Sequence, residues 1–350
     1  MATLTETAYY TRRTINWLIL MVICYFILRL FWSVFVALWL YFFPPKPPPP
    51  NHRFGKLPAV VFPPQASASG KLTFRLETIE GTVPRASESA TVYFMPKQPA
   101  NLLALPKTQE FAQKLEFDPT PIAESKNIYR FDDPEFVLRK LKYDIVSSHF
   151  ILRYGFEQDT GLFSDHVFAG IDKLKADAIG ELQGFNLWQG DIKAGTQKIT
   201  FLKLVGDQLM TTTSLSVADG VRIDFFRKDI FGVKVFPPNP DEGSVTFIYS
   251  GALAPKKQLI EFVYSLWPID YSTTATYALK PSALAWQELQ SGGGYVARYP
   301  KVGASAVVRN IYLGYYDSYD PQTYLQPIFV FEGDNGFMAY VPAVVREWTE

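Results

Sequence analysis

The sequence predicts an α+β fold carried on an N-terminal transmembrane helix, and three features of the chain lead to that expectation. Residues 15–43 form an apolar run broken by one charge, Arg29. A proline-rich stretch at 44–70 follows it. From Lys71 onward, short segments of strand-like alternation are interleaved with short helical patterns.

The apolar run is long enough to cross a bilayer, since about 20 residues at ~1.5 Å each cover a hydrocarbon core of ~30 Å. Arg29 costs roughly 3 kcal/mol at mid-membrane, whereas about eighteen Leu, Ile, Val and Phe residues return ~0.3–0.6 kcal/mol each, so insertion wins. The surplus length lets the helix tilt or slide until Arg29 snorkels toward a headgroup layer. A buried core helix would show a polar face, and this run shows none. A cleaved signal peptide would need small residues where Phe42, Phe43 and Pro44 stand. Arg12 and Arg13 precede the run, which reads 1–14 as a cytoplasmic tail, 15–43 as a single span in contact with the lipid bilayer, and the rest as extracytoplasmic. Lys46, Arg53 and Lys56 on the other flank pull the opposite way.

With 350 residues in all and a 48% hydrophobic fraction, the chain beyond the anchor suffices for a substantial core in two or three modules. Lys plus Arg and Asp plus Glu stand at 34 each, so no overall charge attracts nucleic acid. The single cysteine, Cys24, lies inside the apolar run, which excludes a disulfide or a thiolate cluster within one chain.

Residues 44–50 are nearly all proline and read as a stiff polyproline II stalk, extended by a spacer to residue 70. Residues 71–80 (KLTFRLETIE) and 90–95 read as a hairpin. Pro106 serves as a first-turn residue for a helix carrying Phe111 and Leu115, and Asp133-Pro134-Glu135 reads as the start of another. Ser164-Asp165 opens a helix with Val167, Phe168, Ile171, Leu174, Ala178 and Leu182 on one face. An antiparallel meander follows across 199–250. Pro255 opens a helix carrying Leu259, Phe262, Val263 and Leu266, Pro281 opens another, and 302–315, 324–331 and 337–344 form a three-stranded sheet whose last hairpin turns at Asn335-Gly336. The organisation is therefore three helix-on-antiparallel-sheet modules, at 71–160, 161–250 and 251–350.

The motifs of common chemistry are missing. His52, His149 and His166 are too scattered for a metal site, and no HxxxH, HExxH or CxxC spacing occurs. Ser164-Asp165-His166 contains triad residue types, but sequence neighbours cannot converge on one hydrogen-bond line, so it reads as a helix cap. Residues 291–294 follow a helix rather than feed one, as a C-cap does, and 332–336 reads as a hairpin tip rather than a calcium loop. No cofactor, metal or catalytic set is expected. The candidate partner-binding residues are Tyr315, Tyr316, Tyr319 and Tyr324, because a tyrosine ring offers contact area and its hydroxyl a polar handle.

Residues 282–289 (SALAWQEL), 292–294 (GGG), 308–316 (VRNIYLGYY), 324–333 (YLQPIFVFEG) and 337–341 (FMAYV) together resemble the terminal module of the YycH/YycI group of extracytoplasmic regulators. They resemble the PepSY type of domain more loosely. The resemblance covers about 70 residues well and about 200 vaguely, on apolar and aromatic motifs, with a proline stalk and an Arg29-interrupted helix as departures. It implies a helix packed on an antiparallel sheet, and a partner that is another membrane or envelope protein, such as a sensor kinase. The expectation is a non-catalytic, single-pass bacterial regulator or scaffold. The alternative is a cell-envelope hydrolase or glycan- or peptide-binding protein, marked by a cleft that holds two carboxylates, one with a raised pKa.

Overall fold

The computed structural model describes residues 4–42, 49–65, 72–97 and 101–350, apart from 166, 189, 302 and 304. The chain divides into two compact units, Met1–Pro48 and Pro49–Glu350. The first contains one helix, α1 (Leu4–Phe42), within which Arg12–Trp39 is long and apolar enough to cross a membrane. Nothing in that window is buried against protein, as expected of a helix whose apolar surface faces lipid. The helix begins well before residue 15, so the short tail expected at 1–14 is helical from Leu4.

The second unit is mixed α+β, rich in sheet and sparing in helix. It opens with β1 (Thr73–Leu76), β2 (Ser89–Phe94) and α2 (Ala104–Lys114). Four strands follow: β3 (Ile122–Ala123), β4 (Ile128–Asp132), β5 (Arg139–Asp144) and β6 (Phe150–Tyr154). After α3 (Ile171–Gly184) and the single turn α4 (Gly190–Lys193) come β7 (Gln197–Val205), β8 (Gln208–Thr212), β9 (Gly220–Phe225), β10 (Val235–Phe236) and β11 (Val245–Ser250). The turn α5 (Pro255–Gln258) leads straight into β12 (Leu259–Tyr264), and β13 (Asp270–Ala278) leads to α6 (Ser282–Gln290). The chain closes with β14 (Tyr295–Arg298), β15 (Ser305–Tyr316), β16 (Tyr324–Gly333) and β17 (Met338–Pro342).

These strands form two sheets. Nine run in the antiparallel order β3-β4-β5-β6-β12-β11-β9-β7-β8, and eight assemble around the path β1-β15-β16-β17-β14. The pairing cuts across the module boundaries read from the sequence. Residues 71–160 supply strands to both sheets, and β11 and β12, on either side of position 250, are hydrogen-bonded neighbours.

In the nine-stranded sheet, strand alternation separates a dry face from an open one. One cross-strand row reads Leu141, Leu152, Phe262, Phe247, Ile223 and Ile199, and it lies beneath Ala112 of α2 and Leu174, Ala178 and Leu182 of α3. The Phe247 and Phe262 rings stack with centroids 4.1 Å apart at its centre. In the eight-stranded sheet, Trp286 and Leu289 of α6 pack with Val308, Ile311, Phe329 and Phe331, which is the helix-on-sheet packing the C-terminal pattern predicts.

Several sequence expectations are corrected. Residues 71–80 and 90–95 form no hairpin: β1 runs parallel to β15, while β2 pairs with β13 and β16. Asp133 starts no helix. Its Oδ1 accepts from the Glu135 and Phe136 amides and its Oδ2 from Arg139 Nη1 at 2.8 Å, which closes one turn between β4 and β5. Pro255 opens a single turn and β12 starts at Leu259: Phe262 and Tyr264 alternate onto the dry face, and a register shift opposite Ile248 and Tyr249 brings Leu259 onto it as well. The helix expected from Ser164 begins at Ile171, after Gly170 at φ +89°, and Ser164 Oγ donates instead to the Gly161 carbonyl. Residues 49–65 are not a free spacer. Leu57 is fully buried, the Gln326 amide donates to the Pro58 carbonyl at 2.8 Å, and the Phe62 ring stacks on Tyr295. Most of the proline stalk, at 43–48, and residues 66–71 lie outside the described residues.

The two sheets are joined by a buried ionic node. Arg227, just beyond β9, donates from Nε to Asp317 at 3.0 Å, from Nη1 to Asp191 at 2.5 Å, and from Nη2 to the Trp267 carbonyl at 2.6 Å. Asp191 also accepts from the Tyr271 hydroxyl at 2.6 Å and lies 3.3 Å from Lys228 Nζ. Burial opposes its charge, yet these hydrogen bonds and the Arg227 charge hold its carboxyl below the usual range. The fully enclosed Asp317 carboxyl is instead pushed up by burial, with Arg227 pulling it back. Removing one member of such a group leaves uncompensated buried charge, so Arg227→Ala is expected to cost ~3–5 kcal/mol in urea unfolding. An apolar double replacement, Arg227→Leu with Asp317→Leu, should recover part of that loss.

Beside the node, the His149 ring packs edge-on to Trp267 at 4.1 Å, and its Nε2 is buried without a hydrogen-bond partner. Burial lowers its pKa to about 4 from the ordinary 6.5, against a main-chain hydrogen bond at Leu266 and the Asp144 charge. The unfolded chain therefore takes up a proton that the folded chain refuses between those two values. His149 should cost no stability above ~pH 6.5 and on the order of 3 kcal/mol by ~pH 4, below which the loss levels off. Urea midpoints against pH should show this slope in the wild type, and His149→Phe should flatten it.

Candidate functional site

The open face of the nine-stranded sheet carries the polar half of the strand alternation. One row reads Lys140, Arg153, Glu261, Ile248, Arg222 and Thr200, and the next reads Lys142, Ile151, Val263, Thr246, Asp224 and Lys198. Charges thus flank an apolar strip of Ile151, Val263 and Ile248 on the central strands. Above the strip lies a cleft of about 460 Å³, floored by Leu202, Thr246, Ile248 and Val263. Its walls combine Arg153, Arg222 and Glu261 of the sheet with residues from outside it: Phe156 from the turn after β6, Glu242 and Gly243 from the segment before β11, and Tyr319 from the β15–β16 connection of the other sheet.

Local structure fixes the charged groups of the wall. Asp224 is buried and accepts from Arg222 Nε at 2.9 Å, the Thr246 hydroxyl at 2.8 Å and the Gly243 amide at 3.1 Å. Arg222 Nη2 donates to the Asp241 carbonyl at 2.7 Å, and Nη1 lies 3.4 Å from Glu242. A Cβ on Gly243 would lie 2.4 Å from the Phe225 carbonyl oxygen, so any other residue would displace the segment that carries Glu242. On the opposite wall, Arg153 bonds Glu157 and lies 3.8 Å from Glu261. Burial raises the Glu261 pKa, with Glu242 and Glu157 adding to the rise and Arg153 and Arg222 opposing it.

The four tyrosines singled out from the sequence do not form one surface. Tyr316 is fully buried, its ring against Phe62 and Tyr340, and Tyr315 is buried with its hydroxyl donating to the Thr91 carbonyl at 2.9 Å. Both are core residues, because β15 runs one residue past the expected end at 315, through Tyr316, and is covered on both faces there. Tyr324 is half-buried and stacks on Phe54. Tyr319 remains 37% exposed and borders the cleft, held by a hydrogen bond from Trp267 Nε1 to its carbonyl.

Sequence reasoning missed Arg153, Arg222, Glu242 and Glu261. A signal existed, since Glu261 interrupts the apolar LIEFVY and Arg222 stands in VRIDF, which marks a charged open face on strands central to a sheet. Of the histidines, His52 stacks on Trp348 at 3.8 Å, His149 lies beside the node, and His166 is outside the described residues. Among the described residues no group of three or more His, Cys, Asp or Glu side chains is arranged to hold a metal ion.

No family model and no curated protein matches the chain. A solved structure of an uncharacterized protein from Eubacterium rectale ATCC 33656 is similar, with 14% identity, a TM-score of 0.36, and coverage of 74% of this chain and 82% of that one. At that score the likeness carries no functional information.

Burial separates the tyrosine roles. Tyr316→Ala is expected to cost ~3–5 kcal/mol, the range for large core side chains, and Tyr319→Ala to stay within about 0.5 kcal/mol. Thermal melts of the two variants check this, and the contrast inverts if Tyr319 is packed and Tyr316 is not.

Proposed function

We propose that the protein is a single-pass membrane protein that acts without catalysis, regulating or scaffolding another membrane or envelope protein from outside the cytoplasm. The observation that carries the reading is the cleft at the junction of the two sheets, with an apolar floor, a charged rim and the exposed Tyr319 on its wall. Recognition sites combine buried apolar area with a few placed polar groups in this way, and they favour loop residues held by rigid elements. Support for membrane attachment is the apolar Arg12–Trp39 segment, and Arg12 and Arg13 favour a cytoplasmic N-terminus. The YycH/YycI-like pattern at 282–341 supports an envelope protein as the class of partner.

The test uses the full chain in its membrane. A photoreactive residue replacing Tyr319 should give a discrete crosslinked species, and one replacing the exposed Leu284 on α6, outside the cleft, should not. A product at position 284 alone would overturn the cleft as the partner surface.

The pair Glu242 and Glu261 also supports the hydrolase reading, in which Glu261, whose pKa burial raises, donates to a leaving group. Hydrolysis of isolated cell-wall glycan, lost in Glu261→Gln, belongs to that reading alone.

A further inference from the structure

Two guanidiniums and two carboxylates line the cleft, and one of the carboxylates, Glu261, has no hydrogen-bond donor among the described residues. Arg222 is met from beneath the floor by Asp224 at 2.9 Å, and its Nη1 also donates a longer hydrogen bond to Glu242 at 3.4 Å. Arg153 is bound by Glu157 on the rim. It approaches Glu261 from Nε at 3.8 Å, beyond hydrogen-bond length, and among the described residues no donor reaches the Glu261 carboxylate. Each arginine thus brings its own counter-ion from outside the cleft. With Glu157 and Asp224 counted, carboxylates outnumber guanidiniums around the cleft, and Glu261 is the one left without a donor.

Building on the reading of this cleft as the partner surface, we infer that its occupant is a cationic side chain, a lysine or arginine of the partner protein, seated between Glu242 and Glu261 over Ile248 and Val263. An ammonium or guanidinium supplies the donors that Glu261 lacks, and a charge-assisted bond to a partly desolvated carboxylate is among the stronger polar contacts. The long aliphatic stems of these residues bury well along an apolar strip while the charge stays at the rim. The ring of Tyr319 or Phe156 beside the site also attracts a cation rather than an anion. An acidic side chain in the same place would face both glutamates.

The arrangement also gives a sign for pH. The charged groups facing Glu261 are Arg153 from β6, Arg222 from β9, Glu157 from the rim and Glu242 from the segment before β11. Tyr319 stays neutral, since burial raises its hydroxyl further above neutrality. A proton on Glu261 competes with the cation, so binding weakens as pH falls through a pKa that stands above the ordinary carboxylate range.

The experiment uses the full chain in lipid nanodiscs and three labelled peptides of one apolar sequence, which carry arginine, citrulline or glutamate at the central position. Fluorescence anisotropy should show the arginine peptide binding about tenfold tighter than citrulline, with glutamate weakest. That preference should vanish in Glu261→Gln, shrink in Glu242→Gln, and weaken in the wild type at acidic pH. Glu261→Gln removes no hydrogen bond present in the fold, and a cooperative melt confirms that each variant is folded. Equal binding of the three peptides, preference for glutamate, binding of none, or an arginine preference that survives both substitutions would each overturn the cationic assignment. The crosslinking at position 319 tests the partner surface separately, so loss of the charge preference with crosslinking intact strikes this inference alone.

Discussion

The contact on which the folded unit depends is the one made by Arg227. Two large sheets held together by apolar contact alone have no intrinsic reason to keep a fixed orientation, since dispersion and hydrophobic burial are nearly directionless. A planar guanidinium with three fixed bonds is directional. Its partners come from α4, from the end of β15 and from the link between β12 and β13, so elements of both sheets and their connection converge on one side chain. Such a node is weak as a source of net stability, because desolvation offsets much of its Coulombic gain. Its contribution is specificity of arrangement, which a purely apolar junction between these sheets would lack.

The cleft inherits that arrangement. Tyr319 lies two residues beyond Asp317, and its carbonyl accepts from the indole of Trp267, whose own carbonyl accepts from Arg227. The wall contributed by the eight-stranded sheet is therefore set by the same bonds that lock the sheets together. The opposite side is set by strand register, which places Arg153 beside Glu261 and Arg222 one strand beyond Ile248. A rigid floor and a wall pinned by a buried ion group bring the site into place before any ligand arrives, which lowers the ordering cost of binding.

What the sequence disclosed follows the range of the forces involved. The apolar N-terminal helix, the helix after Pro281 and the Asn335-Gly336 turn are governed by composition, local periodicity or backbone preference, and they form as expected, whereas the strands of 199–250 form without running as a meander, since β9 pairs with β7 and β11 and β10 joins the other sheet. The errors occur where a distant partner decides. The apolar spacing of Leu259, Phe262 and Val263 fits a helix as well as a strand, and the empty place between β6 and β11 selects the strand. Nothing local in 73–76 reveals that its partner is β15, more than 200 residues away, in parallel register. Tyr316 falls just beyond the strand expected at 302–315, because the aromatic run toward Pro321 hides the end of β15. The arginine node was illegible, since Asp191, Arg227 and Asp317 are three ordinary charges until the sheets meet.

Glu261 is the residue at which local and global consistency part. Every other member of β12 has an evident place: Ile260, Phe262 and Tyr264 alternate into packed surroundings, and Val263 floors the cleft. A glutamate held in partial burial, opposite the apolar Ile248 and too far from Arg153 for a hydrogen bond, lowers stability relative to an amide or apolar residue at that position. Asp224, one strand beyond β11, shows how the same fold satisfies a buried carboxylate when structure alone is at stake, with three short bonds to its oxygens. The contrast between these two carboxylates, on the same open face, distinguishes a group committed to the fold from one left available to something outside it.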